Sequence, residues 1–323
     1  AKRIHRLSLF LFLFLILWLI IKYETLSRAT QHVLKDDIFH MYYDELGGDI
    51  IGKTCQIGDR YLKYFVPKPL TLPRGISSIL MIGVLSKASN SDRRKVIRES
   101  WGRGGKKEHN LFFILAGELD QLLRDEIQHE NDIIWIKNLT EEYHGVKTIL
   151  PYKTQIWFHA VSSFADRNKY SHVVKVDDDS HVNVSMLERY FTHPSHQPID
   201  YWGNVPKHRP PYRNPTHKWF VSKEDYNSSH YPPYCLGAGY VLSQKFLKCA
   251  VNALQAPNWK FMPREDVATG LLAQSCGVKA VHSDLVFDKS THKQAIIQHH
   301  ITPEQMENLP NSQSVHKKKK KKK

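Results

Sequence analysis

The chain has 323 residues, 41% of them apolar and 24% charged, which is an ordinary composition for a globular protein with a filled core. The formal net charge of +14 comes partly from a terminal run of lysines at 317–323, without which 39 basic residues face 32 acidic ones, a net charge of +7. Because the rest of the chain is only mildly basic, its charge argues against a nucleic acid as a partner.

The N-terminus has the pattern of a membrane anchor. A basic segment at 1–6, AKRIHR, precedes the apolar run LSLFLFLFLILWLII at 7–21. Basic residues before an apolar run keep the N-terminus cytosolic. The pattern therefore predicts a cytosolic tail at 1–6, a signal-anchor transmembrane helix at 7–21 and a lumenal remainder. The run is shorter than the ~20 residues that span a bilayer core, so a cleaved signal peptide, with SRA at 27–29 as the cleavage candidate, is the alternative.

The next segment predicts a stem. Residues 22–75 have few periodic signals and end in the proline-punctuated FVPKPLTLPRG, which is typical of a domain boundary. A catalytic domain is expected at 76–310. The lysine-rich tail at 311–323 cannot bury apolar surface and is expected to be disordered.

Strands alternate with helices after residue 75. The predicted strands are ISSILMIGVLS (76–86), LFFILAG (111–117), DIIWIKN (132–138) and HVVKV (172–176). The predicted helices are SDRRKVIRESWG (91–102), ELDQLLRDEIQHE (118–130) and KTQIWFHAVSSFAD (153–166). This alternation predicts an α/β fold with a mostly parallel central sheet flanked by helices. In such sheets, ligands bind at the carboxyl ends of the strands.

Asp177, Asp178 and Asp179 directly follow the last of these strands, in VVKVDDDSHVNV. Adjacent carboxylates repel one another, and a divalent cation such as Mn²⁺ or Mg²⁺, shared with a diphosphate, would offset that repulsion. A solvated acidic turn is the alternative. A second acidic pair, Glu265 and Asp266, begins the helix-like PREDVATGLL. A carboxylate there can act as a general base or only as a favourable charge at a helix N-terminus.

Two further signals agree with a lumenal compartment. Sequons occur at Asn138, Asn183 and Asn227. Asn183 lies close to the acidic triplet, which leaves Asn138 and Asn227 as the N-glycosylation candidates. The four cysteines form an even set that is compatible with disulfides in three connectivities: Cys55, Cys235, Cys249 and Cys276.

Five segments, in this order, resemble the β-1,3-glycosyltransferase family: RRKVIRESWG, VVKVDDDSHVNV, KWFVSKEDYNSSHYPPYCLGAGYVLS, EDVATG and HHITPEQM. That family contains β-1,3-galactosyltransferases, β-1,3-N-acetylglucosaminyltransferases and their Fringe relatives. The resemblance covers residues 76–306, and its most specific segment is YPPYCLGAGYVLS. It implies a GT-A fold and a Golgi enzyme that uses a UDP-sugar and Mn²⁺. Such an enzyme transfers the sugar, with inversion, to a hydroxyl of a glycan acceptor on a glycoprotein or glycolipid.

The resemblance also implies roles for single residues. Asp266 would be the catalytic base, with Glu265 as its neighbour. The metal ligands would be Asp179 and His299, with His282, His292 and His300 as rivals of His299. The donor-binding residues would be Asp177, Asp178, Arg94, Arg98 and Lys153, although a solvated helix face is the alternative for the arginines. Cys235 resembles a disulfide position, with Cys276 as its candidate partner.

The proposed chemistry explains these residue types. A cation neutralises charge on the departing diphosphate, and a carboxylate takes the proton of the acceptor hydroxyl, a step worth on the order of 10²–10⁴ in rate. The donor sugar, galactose or an N-acetylhexosamine, stays open. A different class also stays open: a catalytically lapsed, lumenal glycan-binding or partner protein of the same fold.

Overall fold

The structure, a computed structural model, describes residues 50–58, 60–67, 79–102, 110–142, 148–163, 170–196, 198–207, 209–287 and 295–309. Within these ranges, no helix has both the length and the apolar character needed to cross a membrane. The expected cytosolic tail at 1–6, the anchor at 7–21 and the lysine-rich tail at 311–323 lie outside the described residues, as does His292. The chain divides into two compact units, Ala1–Ile50 and Ile51–Lys323, and the fold below is that of the second.

The described strands form a large and a small sheet. In chain order they are β1 (Ile50–Ile57), β2 (Arg60–Pro67), β3 (Leu80–Leu85), β4 (Leu111–Ala116), β5 (Ile133–Ile136), β6 (His172–Asp177), β7 (His181–Val182), β8 (Tyr201–Gly203), β9 (Gly239–Ser243), β10 (Ala280–His282), β11 (Val286–Phe287) and β12 (Ile297–Gln298). The large sheet has the order β1-β2-β5-β4-β3-β6-β9-β8-β10, and the small one β11-β12-β7.

The centre of the large sheet is parallel, as predicted, but the sheet as a whole is mixed. Strands β5, β4, β3 and β6 pair in parallel, and all six residues of β3 are buried. Strand β2 pairs antiparallel with β5, and β9 pairs antiparallel with both β6 and β8. The expectation of a mostly parallel sheet is therefore correct for the four central strands, whose largely apolar sequences suit burial on both faces. Strand β10 also pairs in parallel with β8.

Seven described helices connect and cover these strands. They are α1 (Ser91–Ile97), α2 (Gln121–Glu130), α3 (Leu150–Ser162), α4 (Val184–Thr192), α5 (Gln244–Leu254), α6 (Glu265–Ser275) and α7 (Pro303–Asn308), and a π-helical turn, Arg98–Gly102, continues α1. Helix α3 lies directly on the sheet at Gly83, where a Cβ atom would be 2.4 Å from the Trp157 ring. The Trp157 indole donates a hydrogen bond to the Val174 carbonyl at 3.2 Å, so the glycine allows helix and sheet to approach closely.

The structure differs from the predicted stem at residues 50–58 and 60–67. We expected a stem over 22–75, but β1 and β2 lie within that range and form one end of the large sheet. Their burial is uneven, with exposed and partly exposed positions among buried ones. Such edge strands lack the continuous apolar run that marks a central strand, which is why the sequence pattern placed them in the stem.

The disulfide also differs from the expected pairing. Cys276 bonds to Cys249, with 6.0 Å between their Cα atoms, whereas Cys235 is a buried free cysteine, as is Cys55. Cys249 lies in α5 and Cys276 directly follows α6, and these two helices pack together. The expectation that Cys235 pairs with Cys276 is therefore wrong.

The Cys249–Cys276 bond is expected to stabilise the fold. Replacing both cysteines by alanine should lower the free energy of unfolding by roughly 2–4 kcal/mol, because the bond restricts the unfolded chain. Urea unfolding of the purified protein measures this difference. Adding a reductant should destabilise the wild type by a similar amount and leave the double variant unchanged. A non-reducing peptide map that joins Cys235 to another cysteine would contradict this pairing.

Candidate active site

A cleft of about 550 Å³ opens at the carboxyl end of β6. The acidic triplet, Asp177–Asp179, lines it together with His299 and His300. Arg264 and Asp266 at the start of α6 and a segment that includes Trp219 also line it. The cleft therefore collects side chains from both acidic motifs that the sequence singled out.

The small sheet brings His299 to the acidic triplet. Strand β7 begins two residues after Asp179, and it pairs antiparallel with β12, which ends one residue before His299. The His299 Nε2 atom lies 3.0 Å from an Asp179 carboxylate oxygen and 3.8 Å from one of Asp177. The His300 Nδ1 atom lies 3.5 Å from the other Asp179 oxygen. Both histidines therefore lie near the Asp179 carboxylate, and His299 is the closer of the two.

These three residues could hold a divalent cation. Asp179, His299 and His300 each offer one ligand atom, and the atoms lie within 4.8 Å of one another. A carboxylate combined with imidazoles suits a first-row transition ion such as Mn²⁺ better than an all-oxygen ion such as Ca²⁺. Burial raises the pKa of Asp179, but the hydrogen bond and charge of His299 outweigh it, so the pKa lies below its usual value. His282, which ion-pairs with the exposed Asp284, is not part of this group.

Asp178 lies on the cleft wall opposite the start of α1. Its Oδ2 atom accepts hydrogen bonds from Ser86 and Asn90, both at 2.8 Å. Burial raises the pKa of its carboxyl, although these two hydrogen bonds act in the opposite direction. The residue is therefore held in one orientation before any ligand binds.

Lys153 does not line the cleft but bonds to Ser86, which does line it. Its Nζ atom donates to the Ser86 carbonyl at 2.7 Å and to Glu141 at 2.6 Å, and its side chain is fully buried. Burial lowers its pKa to about 8, against the raising effect of Glu141. We expected Lys153 to bind the donor, but its position assigns it to orienting Ser86, which in turn holds Asp178.

Lys175 connects the two acidic motifs. This buried lysine of β6 lies 2.8 Å from Asp177 and 3.1 Å from Glu265, and it donates a third bond to the Gly237 carbonyl at 2.7 Å. Burial lowers its pKa, but the charges of Asp177 and Glu265 outweigh that effect and raise it above 10.5. Lys175 thus stays charged and fixes the spacing between the triplet and the start of α6.

Glu265 and Asp266 differ in their surroundings, although they are adjacent. The Glu265 carboxylate accepts hydrogen bonds from Thr154, Tyr240 and Lys175 inside the fold. Burial raises its pKa, although the Lys175 charge opposes the rise. Asp266 lines the cleft, and its closest charged partner there is Arg264 at 3.3 Å. Glu265 is therefore a buried structural partner, and Asp266 is the carboxylate available to a ligand.

The two arginines expected to bind the donor do not line the cleft. Arg94 is fully buried and forms an ion pair with Glu126 at 2.5 Å, and it also donates to the Lys87 carbonyl. Arg98 forms a two-bond ion pair with the buried Asp132, both bonds at 2.8 Å. A buried guanidinium requires such partners. In this structure both arginines are held by internal ion pairs, and their donor-binding role stays a prediction.

The remaining expected sites lie on the surface. Asn138 and Asn227 are both exposed, and their glycosylation stays a prediction. The Asn183 side chain accepts a hydrogen bond from the Met186 amide and caps α4.

Sequence reasoning missed several residues of the cleft. Lys175 was hidden inside an apolar strand pattern, and its partner Glu265 is 90 positions away. Arg264 and Trp219 lie within segments that the sequence singled out, but the sequence assigned no role to either side chain. Their presence in the cleft could be seen only in the folded structure, in which the segment between β8 and β9 contacts the start of α6.

The fold and the cleft are those of an enzyme of the glycosyltransferase class. A sequence profile described as Galactosyltransferase matches residues 92–284. The chain therefore belongs to the galactosyltransferase family, which confirms the resemblance found in the sequence.

Curated relatives agree with this assignment. The chain is 26% identical over 282 residues to beta-1,3-galactosyltransferase 1 of Mus musculus and of Homo sapiens, an alignment that covers 82% of each chain. It is 28% identical over 236 residues to beta-1,3-galactosyltransferase 5 of Pan paniscus, covering 69% of this chain and 74% of the relative.

Proposed function

We propose that this protein transfers galactose or an N-acetylhexosamine from a UDP-sugar to a hydroxyl of a glycan acceptor on a glycoprotein or glycolipid. The new linkage is β-1,3, and the anomeric configuration is inverted. The observation that carries the proposal is that the acidic triplet, His299 and Asp266 line the same cleft. The expected anchor at 7–21 makes the enzyme a single-pass type II protein of the Golgi membrane, with its catalytic domain in the lumen.

The acidic end of the cleft is assigned to the donor. Asp179 and His299 would hold Mn²⁺, with His300 as a further ligand. When bound, the ion supplies positive charge that neutralises the diphosphate as UDP departs. Asp178, oriented by Ser86 and Asn90, is placed to bind the ribose or sugar hydroxyls of the donor.

Asp266 is assigned to the acceptor. The acceptor oxygen forms a bond to the anomeric carbon while the bond from that carbon to the UDP oxygen breaks. The hydroxyl proton passes to the Asp266 carboxylate, and the electron pair of the broken bond leaves with UDP. Attack from the face opposite UDP inverts the configuration in one displacement.

The proposal predicts that activity depends on Asp179 and on a divalent cation. UDP release from UDP-galactose or a UDP-N-acetylhexosamine should require added Mn²⁺, and EDTA should abolish it. Asp179→Asn should lower kcat/KM by roughly a hundredfold or more, because a charged ligand of the ion is lost. Asp125→Asn, at an exposed carboxylate of α2 that does not line the cleft, is the matched control.

Two outcomes would count against the assignment. Equal activity of Asp179→Asn and wild type would remove the metal role of that residue. Absence of UDP release from any of these donors, in a protein that still binds glycans, would favour the catalytically lapsed glycan-binding protein instead.

A further inference from the structure

The part of the cleft around Asp266 carries more positive than negative charge. Three cations line it, Arg209, Lys218 and Arg264, and Trp219 lies among them. We call these four residues the basic end. Of the carboxylates that line the cleft, Asp266 is the one that pairs with this group, through Arg264, whereas Glu265 and Asp177 are paired with Lys175.

The ion pairs of the acidic triplet are made with other residues than the basic end. Asp177 contacts Lys175, and Asp179 contacts His299 and His300. Asp266, by contrast, pairs with Arg264 at 3.3 Å, and the Arg264 guanidinium lies over the Trp219 ring. The basic end is therefore linked to the carboxylate that is assigned to the acceptor.

Two of the cations contact the same aromatic ring. The Arg264 guanidinium carbon and the Lys218 Nζ atom each lie 4.5 Å from the centroid of the Trp219 indole ring. A cation over an aromatic face is attracted by the ring, so Trp219 keeps both positive charges at the cleft. An anion bound beside them would offset the repulsion between these like charges.

The segment that carries Lys218 and Trp219 is held in place by the fold. The Arg213 guanidinium donates four hydrogen bonds at 2.6–3.1 Å to the carbonyls of Val221, Ser222, Tyr226 and Ser228. Tyr212 pairs with Phe220 across the same segment, and its ring stacks on His217 at 4.0 Å. Arg264 itself is only 9% exposed. The backbone that carries Lys218 and Trp219, and the Arg264 side chain, are therefore held in place before a ligand binds.

We infer that the acceptor carries an anionic group, a carboxylate, sulfate or phosphate, which the basic end binds while Asp266 contacts the acceptor hydroxyl. This inference rests on the proposed function and adds the chemical class of the acceptor to it. The guanidiniums of Arg264 and Arg209 and the ammonium of Lys218 would donate charge-assisted hydrogen bonds to the anion.

The test compares matched acceptors in a UDP-release assay. The probes are p-nitrophenyl β-glycosides of N-acetylglucosamine and galactose, each unmodified, 6-O-sulfated, 6-O-phosphorylated or linked to glucuronate. Wild type should show a kcat/KM at least about tenfold higher for one anionic form than for the neutral form. Comparison of the sulfated, phosphorylated and glucuronate-linked acceptors identifies which anion is preferred. Added NaCl should reduce the preference for the anionic acceptor, because two of the cations are exposed.

Charge removal at the basic end should reduce that preference. Lys218→Gln should lower the ratio of anionic to neutral kcat/KM by roughly fivefold to tenfold, and Lys218→Glu should lower it further. Lys248→Gln, at an exposed lysine of α5 that does not line the cleft, is the control for loss of one charge. Equal kcat/KM for neutral and anionic acceptors would overturn this inference and leave the proposed transfer reaction intact.

A binding measurement separates the inference from failure of the proposed reaction. Binding of the sulfated glycosides without donor can be followed through tryptophan fluorescence, with Trp219→Phe identifying the signal. Saturable, salt-sensitive binding that Lys218→Glu weakens would support the basic end even if no sugar is transferred. No difference in binding between neutral and anionic glycosides would overturn it.

Discussion

Asp266→Asn is expected to lower kcat by on the order of 10²–10⁴, because the acceptor hydroxyl loses the carboxylate that takes its proton. The KM for the UDP-sugar should change little, since the donor is assigned to the other end of the cleft. The acidic limb of the pH profile of kcat/KM should also disappear, because that limb reports the protonation of the base. Steady-state UDP release over a pH series measures all three quantities.

Glu265→Gln is the informative comparison for this prediction. Glu265 is buried and bonded to Thr154, Tyr240 and Lys175, so its replacement should mainly reduce stability. A larger loss of kcat in Glu265→Gln than in Asp266→Asn, with both variants folded, would move the base to Glu265. A change of less than about fivefold in Asp266→Asn would remove it from the base role.

Lys175→Met is expected to destabilise the fold by about 3–5 kcal/mol, because it leaves a buried Glu265 carboxylate without its charged partner. The Asp177 carboxylate loses the same partner. Urea unfolding at neutral pH measures the loss. The ion pair of the wild type should persist at neutral pH, because the pKa of Lys175 is raised. The stability that this pair contributes should be lost only at alkaline pH above 10.5.

Two further variants make this prediction specific. Lys248→Met removes an exposed lysine of α5 and should change stability by less than about 0.5 kcal/mol. The double variant Lys175→Met with Glu265→Gln should recover part of the stability, because no buried charge is then left unpaired. A loss below about 1 kcal/mol for Lys175→Met would show that the lysine does not hold the two acidic motifs together.

The central strands were predictable from the sequence, and the edges of the sheet were not. Strands β3 and β4 are continuous apolar runs, and β6 is apolar in the middle except for Lys175; such runs identify strands that are buried on both faces. Strands β1 and β2 mix exposed and buried positions, so local pattern did not separate them from a stem. Their assignment depends on the pairing of β2 with β5, a contact between residues about 70 positions apart.

The candidate site was predictable where residues follow a strand or belong to a family segment. Asp177–Asp179 and Asp266 were found in this way, and the structure brings both motifs to one cleft. The burial of Arg94 and Arg98 was not predictable, because a run of basic residues on a helix does not reveal its partners. Those partners, Glu126 and Asp132, are 32 and 34 positions away. The predicted disulfide pairing was wrong for a related reason, because the spacing of cysteines in the sequence does not determine which helices pack together.

The most direct test of this account is a crystal structure of the protein grown with Mn²⁺ and UDP. The account predicts the ion bound by Asp179 and His299, with the diphosphate beside it and the space next to Asp266 left open for an acceptor. An ion or nucleotide bound elsewhere, with these carboxylates in contact with neither, would contradict it.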